Sequence, residues 1–201
     1  MFMRPKLKIS NITNLQDARY SAAVGFDFVS FSLERGSVKK LASNLVWNII
    51  NWLEGPEVVL ELNAHSLEEV DIVGESFNFR YITMPYEEWS DLVFQTFPRI
   101  IIRADHQVSA DQIAEVVSSA SLSDFEVKFE LALSDFADVA HYQEVLPDVF
   151  IHFSELALAH QLIASDYQPY GITLGEEAEE DQLLDYEQID TFMEAYWAVF
   201  L

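Results

Sequence analysis

Eight apolar runs of strand length recur along the chain, and most are separated by segments with helical periodicity. They are Leu7–Thr13, Phe26–Leu33, Glu57–Asn63, Phe79–Met84, Arg99–Arg103, Glu126–Leu133, Val149–Phe153 and Gly171–Leu174. Near-continuous apolar strands alternating with amphipathic helices are buried on both faces, which is the habit of a parallel sheet. Eight repeats in 201 residues predict α/β architecture, with the sheet closed as a single compact (β/α)8 TIM barrel spanning residues 1–201. A doubly wound open sheet is the alternative, because strand number alone does not show closure. The length is near the lower limit for a barrel, so the connections must be short.

The intervening helices carry their own start and stop signals. Asn14 is placed to cap a helix over Leu15–Val24, and Gly25 to end it. Ser43 or Asn44 precedes Leu45, Val46, Ile49, Ile50 and Leu53, after which Gly55-Pro56 halts the chain. Ser109 precedes a helix that turns Ile113, Val116 and Val117 inward, and the pattern returns over Ser154–Ser165 and Tyr186–Phe200. Trp47, Trp52 and Trp89 fit helix faces packed on the barrel. His141 and His160 read as surface positions, and His152, between Ile151 and Phe153, as a satisfied interior residue. The closing W-A-V-F-L of the last helix extends toward the limit of what a core covers, which leaves open an apolar patch for a protein partner or homodimer.

Charge sets the next limit. Eleven basic residues against 34 acidic ones give a formal net charge of −23. Such a surface repels nucleic acid, anionic lipid and free phosphorylated metabolites at long range. No nucleic-acid partner is expected. No apolar run reaches the roughly 18 residues of a membrane span, and M-F-M-R-P-K is not a signal-peptide start, so no membrane association is expected. The absence of cysteine excludes disulfides and thiolate metal sites and suits a cytoplasmic location.

The opening Lys8-Ile9-Ser10-Asn11-Ile12-Thr13-Asn14, followed by Asp17-Ala18 and Gly25-Phe26-Asp27-Phe28-Val29-Ser30-Phe31, resembles the start of phosphoribosylanthranilate isomerases. That family reads K-I-C-G-I-T-N, then D-A and G-A-D-x-x-G-F-x-F. Ser37-Val38-Lys39-Lys40-Leu41-Ala42-Ser43 is similar to its S-P-R-x-V-S segment. Pro169-Tyr170-Gly171-Ile172-Thr173-Leu174 and Asp185-Tyr186-Glu187-Gln188-Ile189 are similar to its P-x-G-V-D-V strand and its terminal K-D-x-x-K-I. The resemblance implies a (β/α)8 isomerase of tryptophan biosynthesis, which opens a ribosylamine and moves a proton from C2 in an Amadori rearrangement. It implies no cofactor.

The same resemblance marks where the chemistry departs. The catalytic cysteine, the family's base, falls on Ser10, whose hydroxyl has no thiolate-like basicity near neutral pH. The family acid, in L-L-D-S, aligns directly with Leu133. Asp135, two residues on, is the candidate to reach the same mouth, or else to cap the next helix. Lys39 stands at the family's substrate-facing arginine, and Arg103 ends the fifth strand as a second candidate for substrate binding. The strand-four Q-L-H-G falls near Tyr81–Pro85 and is lost. The family's phosphate turns are glycine-rich, because bare backbone N–H groups must approach the anion. Here Ser154 and Glu155 follow the seventh strand, and Glu176 and Glu177 the eighth. At ~4 Å and an effective dielectric near 20, each such carboxylate opposes a phosphate by roughly 4 kcal/mol.

Glu61, Asn63, His65, Asp105, His106, Glu155 and Glu176 also fall at strand ends. They lack a spacing such as H-E-x-x-H, so a polar pocket with no metal is the expectation. The sequence thus points to a degenerate isomerase-like barrel acting as a binding or regulatory protein, with a small-molecule ligand at its mouth. The alternative is an active isomerase or a different small-molecule activity at that mouth.

Overall fold

The computed structural model describes residues 4–37, 39–63, 79, 81–89, 97, 99–121, 125–153, 155–175 and 185–200. Its centre is a closed barrel of eight parallel strands in sequence order. These are β1 (Lys6–Ile9), β2 (Phe28–Ser32), β3 (Glu57–Glu61), β4 (Tyr81–Pro85), β5 (Arg99–Asp105), β6 (Glu126–Leu133), β7 (Val149–Phe153) and β8 (Gly171–Leu174). Closure comes from β1 pairing with β8, Lys6 through Ile9 against Gly171 through Leu174. Five α-helices are described: α1 (Leu15–Val24), α2 (Ser43–Ile50), α3 (Ala110–Ser121), α4 (Leu156–Ile163) and α5 (Tyr186–Phe200). The expected closed barrel is present, and the open sheet is excluded.

Helix ends follow local chemistry. Asn14 accepts a hydrogen bond from Asp17 N, and Gly25, at φ 100°, closes α1 in the left-handed region. Ser109 and Gln112 exchange hydrogen bonds at the start of α3, Gln112 N to Ser109 Oγ at 3.3 Å and Ser109 N to Gln112 Oε1 at 2.9 Å. For α2 the cap is Ala42, without a side-chain bond, so Ser43 and Asn44 lie one step too far along. The β1 strand ends at Ile9, well before the expected Thr13. Asn11 sits at φ 60°, and a left-handed residue cannot continue a strand.

Strand alternation divides the residues into two sets. Leu7, Ile9, Val29, Phe31, Leu60, Ile82, Ile102, Phe129, Leu131, Ile151 and Ile172 join the helix residues Val46, Ile113, Leu162 and Phe192 in the outer core. The opposite parity faces the lumen, where Phe28, Val59, Tyr81, Ile101 and Phe150, with Tyr170, form a separate apolar cluster. Its rings meet edge to face, Phe28 with Phe150 at 5.5 Å and Phe150 with Tyr170 at 5.1 Å. This cluster fills the N-terminal end of the barrel.

Gly171 makes room for it. A Cβ there would stand 2.4 Å from the Phe150 ring and 2.7 Å from Lys6 O. The N-terminal end is also tied together by charge. Arg4 donates to Asp27 Oδ2 at 2.7 Å and to Tyr196 Oη at 3.0 Å, and Lys6 to Asp27 Oδ1 at 2.9 Å. Burial opposes ionisation of Asp27, yet the bonds from Arg4, Leu7 N and Lys6 outweigh it and hold the carboxyl below its usual range. Two aromatic expectations change. Trp52 lies past the end of α2 and is 66% exposed, with the Arg19 guanidinium 5.6 Å from its ring. His160 is half-buried against Phe192 at 5.3 Å, because α4 packs on α5.

Gly171→Ala is expected to cost at least ~2 kcal/mol, since the obstruction includes backbone. Urea denaturation checks it, and Gly55→Ala, where nothing stands within 4 Å of the added Cβ, reports the backbone penalty of a positive φ alone.

Candidate functional site at the barrel mouth

Above the aromatic floor the lumen is polar. Lys8, Ser30, Glu61, Thr83, Glu130 and Thr173 face one another there, none more than 5% exposed. Barrel interiors of this kind are usually filled by branched aliphatic side chains. The Lys8 ammonium donates to Glu130 Oε2 at 2.8 Å and to Ser10 Oγ at 2.7 Å. Glu61 Oε1 lies 3.8 Å from the same nitrogen. Since β1 borders only β2 and β8, contacts to β6 and β3 must cross the lumen.

Thr173 Oγ1 donates to Glu130 Oε2 at 2.7 Å. Burial raises the Glu130 pKa, but the Lys8 charge and the hydrogen bonds from Lys8 and Thr173 prevail and bring it down to about 2. Glu130 is therefore a carboxylate with no proton to give near neutrality. Glu61 accepts a short hydrogen bond from Ser30 Oγ, and Ser30 Oγ also lies 3.3 Å from Ile9 O.

The mouth lies at the C-terminal ends of the strands. Ser10, 6% exposed, directly follows β1, and its hydroxyl oxygen is held by Lys8. Gly175, at φ 132°, packs over it, and a Cβ there would stand 3.0 Å from Ser10 O. Across β8, His152 Nε2 lies 2.8 Å from Gly175 O. A carbonyl only accepts, so a neutral imidazole carries its proton on Nε2 and presents Nδ1 as an acceptor. Ala132 is exposed at the end of β6. Arg103 Nη2 is ion-paired with Glu34 of the loop after β2.

Not every candidate reaches this place. Asp135 does not share the lumen parity. Leu133, whose parity it has, is buried in the outer core, and the Asp135 carboxylate accepts from Ala137 N at 2.9 Å as the cap of a 3-10 turn. The lumen side of β6 is instead Lys128, Glu130 and Ala132. Lys39 is 8% exposed in the loop after β2, on the mouth side of the barrel, with its backbone N donating to Ser37 Oγ at 3.2 Å. Asp105 is exposed and caps Gln107 N at 2.8 Å. Glu155 is exposed at the start of α4 without a side-chain capping bond. His65, Ser154, Glu176 and Glu177 lie outside the described residues. Among the described residues, no group of three or more His, Cys, Asp or Glu is arranged to hold a metal ion. None of the described helices is long and apolar enough to cross a membrane.

The barrel has close structural counterparts. Phosphoribosylanthranilate isomerase from Thermus thermophilus superposes with a TM-score of 0.76 at 18% identity, over 96% of this chain and 99% of that one. The Thermotoga maritima isomerase gives 0.72 at 18% identity, over the same shares. A phosphoribosylanthranilate isomerase bound to reduced 1-(o-carboxyphenylamino)-1-deoxyribulose 5-phosphate gives 0.76 at 16% identity, again over 96% and 99%. What they share is the fold. Barrels of other chemistry lie within reach as well: an aldolase of Thermotoga maritima, a DAHP synthase, gives 0.70 at 11% identity over 98% of this chain and 69% of that one. No family model and no curated protein matches the sequence.

Lys8, Glu130 and Thr173 were not anticipated as one constellation, and His152 was expected only as a satisfied interior residue. A signal for the first two is present. K-L-K-I-S and E-V-K-F-E-L-A put charges on alternate positions of strands whose other face is apolar, so those charges share the lumen.

Lys8→Met is expected to lower stability by ~3–5 kcal/mol, because it leaves buried carboxylates without their cation, and Lys8→Met/Glu130→Met to regain most of the loss. A carboxylate with a depressed pKa stabilises the fold above its unfolded value, ~4.3, and that contribution is lost as the pH falls toward about 2. Urea midpoints measured across this window should fall more steeply in the parent than in the double variant.

Proposed function

We propose that this chain is a catalytically degenerate relative of the phosphoribosylanthranilate isomerases, acting as a binding or regulatory protein with a small-molecule ligand at the barrel mouth. The observation that carries this reading is the state of Ser10. Its oxygen, at the position of the family base, accepts from the Lys8 ammonium at 2.7 Å. A hydroxyl bonded to a cation is a poorer base than a free one, and the cation itself is committed to Glu130. Proton transfer at C2 needs a base and an acid within reach of the same carbon. Asp135 is spent on a backbone cap, and Glu130 is ionised and buried beneath the mouth. The carboxylates that follow β7 and β8 in sequence further disfavour a phosphorylated substrate. A protein partner, or a second copy of the chain, fits the regulatory form of this reading.

Expression in a tryptophan auxotroph lacking the isomerase tests it. No growth is expected at normal expression, either from the chain as it stands or from Ser10→Cys, which returns a thiol without an acid partner. Growth of the parent chain would overturn the reading.

A second reading, a different small-molecule activity at the same mouth, rests on His152. Its half-buried imidazole has Nε2 held 2.8 Å from Gly175 O, which in the neutral form leaves Nδ1 as the acceptor that a general base requires. Under that reading a turnover found by substrate screening would fall at least ~100-fold in His152→Gln, with the melting temperature unchanged.

A further inference from the structure

The buried polar layer is unbalanced. It contains two carboxylates, Glu61 and Glu130, and one ammonium, Lys8, at 3%, 5% and 0% exposure. Lys8 has three donors. One goes to Glu130 and one to Ser10, and Glu61 at 3.8 Å is beyond hydrogen-bonding distance. Among the described residues, Glu61 accepts one hydrogen bond, from Ser30. A hydroxyl lessens the cost of a buried carboxylate but does not cancel its charge, and an uncompensated buried charge costs several kcal/mol.

An independent observation lies on the next strand. Thr83 pairs in register with Glu61 and has the lumen parity of Tyr81, whereas Ile82 and Met84 belong to the outer core. It is 0% exposed, and its Oγ1 has no hydrogen-bond partner among the described residues. An orphan hydroxyl in a lumen otherwise rich in hydrogen bonds is an oxygen waiting for a donor or a cation.

We infer that the lumen holds a monovalent cation of alkali-metal size between the Glu61 carboxylate and Thr83 Oγ1, with Ser30 Oγ beside it. The chemistry suits a hard ion. The three candidate ligand groups, Glu61, Thr83 and Ser30, all offer oxygen, Ser30 retains lone pairs after donating to Glu61, and one positive charge brings the layer of Lys8, Glu61 and Glu130 to neutrality. A divalent ion would overshoot that balance beside an ammonium. A chain with a net charge of −23 also concentrates cations at its surface. The inference is independent of whether the mouth catalyses anything.

Thermal unfolding of the full chain at constant ionic strength, in sodium, potassium or choline chloride, provides the test. A saturable rise of about 3–6 °C is expected in one or both alkali salts over choline, which is too large for the site. Thr83→Val keeps the shape and removes the ligand oxygen, so it should fold and lose at least half of that rise. Glu61→Gln should lose all of it. Equal melting in the three salts, or a full alkali response in Thr83→Val, would overturn the inference. So would ¹⁵N NMR showing His152 as imidazolium at pH 7 in saturating alkali salt, since a proton would then supply the missing charge. Should Glu61→Gln fail to fold, the salt series on the parent and on Thr83→Val decides the matter alone.

Discussion

The interior of this barrel is organised around one ammonium group. Lys8 enters the lumen from β1 and reaches β6 through Glu130, while its second hydrogen bond fixes the hydroxyl of Ser10 at the mouth. Burying such a group costs several kcal/mol unless its partners are close and well oriented. The arrangement around it is therefore strict. Thr173 aligns the Glu130 carboxylate, and Gly175 lies against the backbone of Ser10. A barrel core filled with aliphatic side chains would need none of this coordination. Here the polar layer makes the alignment of β1, β6 and β8 depend on electrostatics as well as on packing.

That layer also bears on chemistry at the mouth. The environment of the Ser10 hydroxyl is built for an oxygen acceptor, since the same cation that holds Ser10 is held by Glu130. His152 stands on the other side of β8, joined to Ser10 through the backbone of Gly175. The mouth thus offers a hydroxyl and an imidazole across one strand end.

The architecture was largely readable in the chain, because eight apolar runs with helical spacers leave few alternatives, and Asn14, Gly25 and Ser109 mark helix ends by chemistry that is local. The site was less readable. Asp135 was a candidate for the mouth because it shares the parity of Leu133, where the family's acid aligns, and that parity is the outer one: Leu133 lies in the outer core, and Asp135 takes the alternative role of cap. Lys8 and Glu130 lie 122 residues apart, and only barrel closure brings them together. Their alternation with apolar neighbours was visible, but which strands face each other across a lumen is a property of the whole fold. The length of β1 was overestimated for a different reason, the left-handed turn at Asn11, where the resembling family has glycine.

The aromatic floor has a consequence for traffic. Phe28, Tyr81, Phe150 and Tyr170 stop the lumen at its N-terminal end, with Gly171 letting Phe150 settle against the strands. The barrel is therefore plugged at that end and has one usable face. Anything that meets the polar layer must approach and depart on the side where the strands finish, so arrival and departure share a single door.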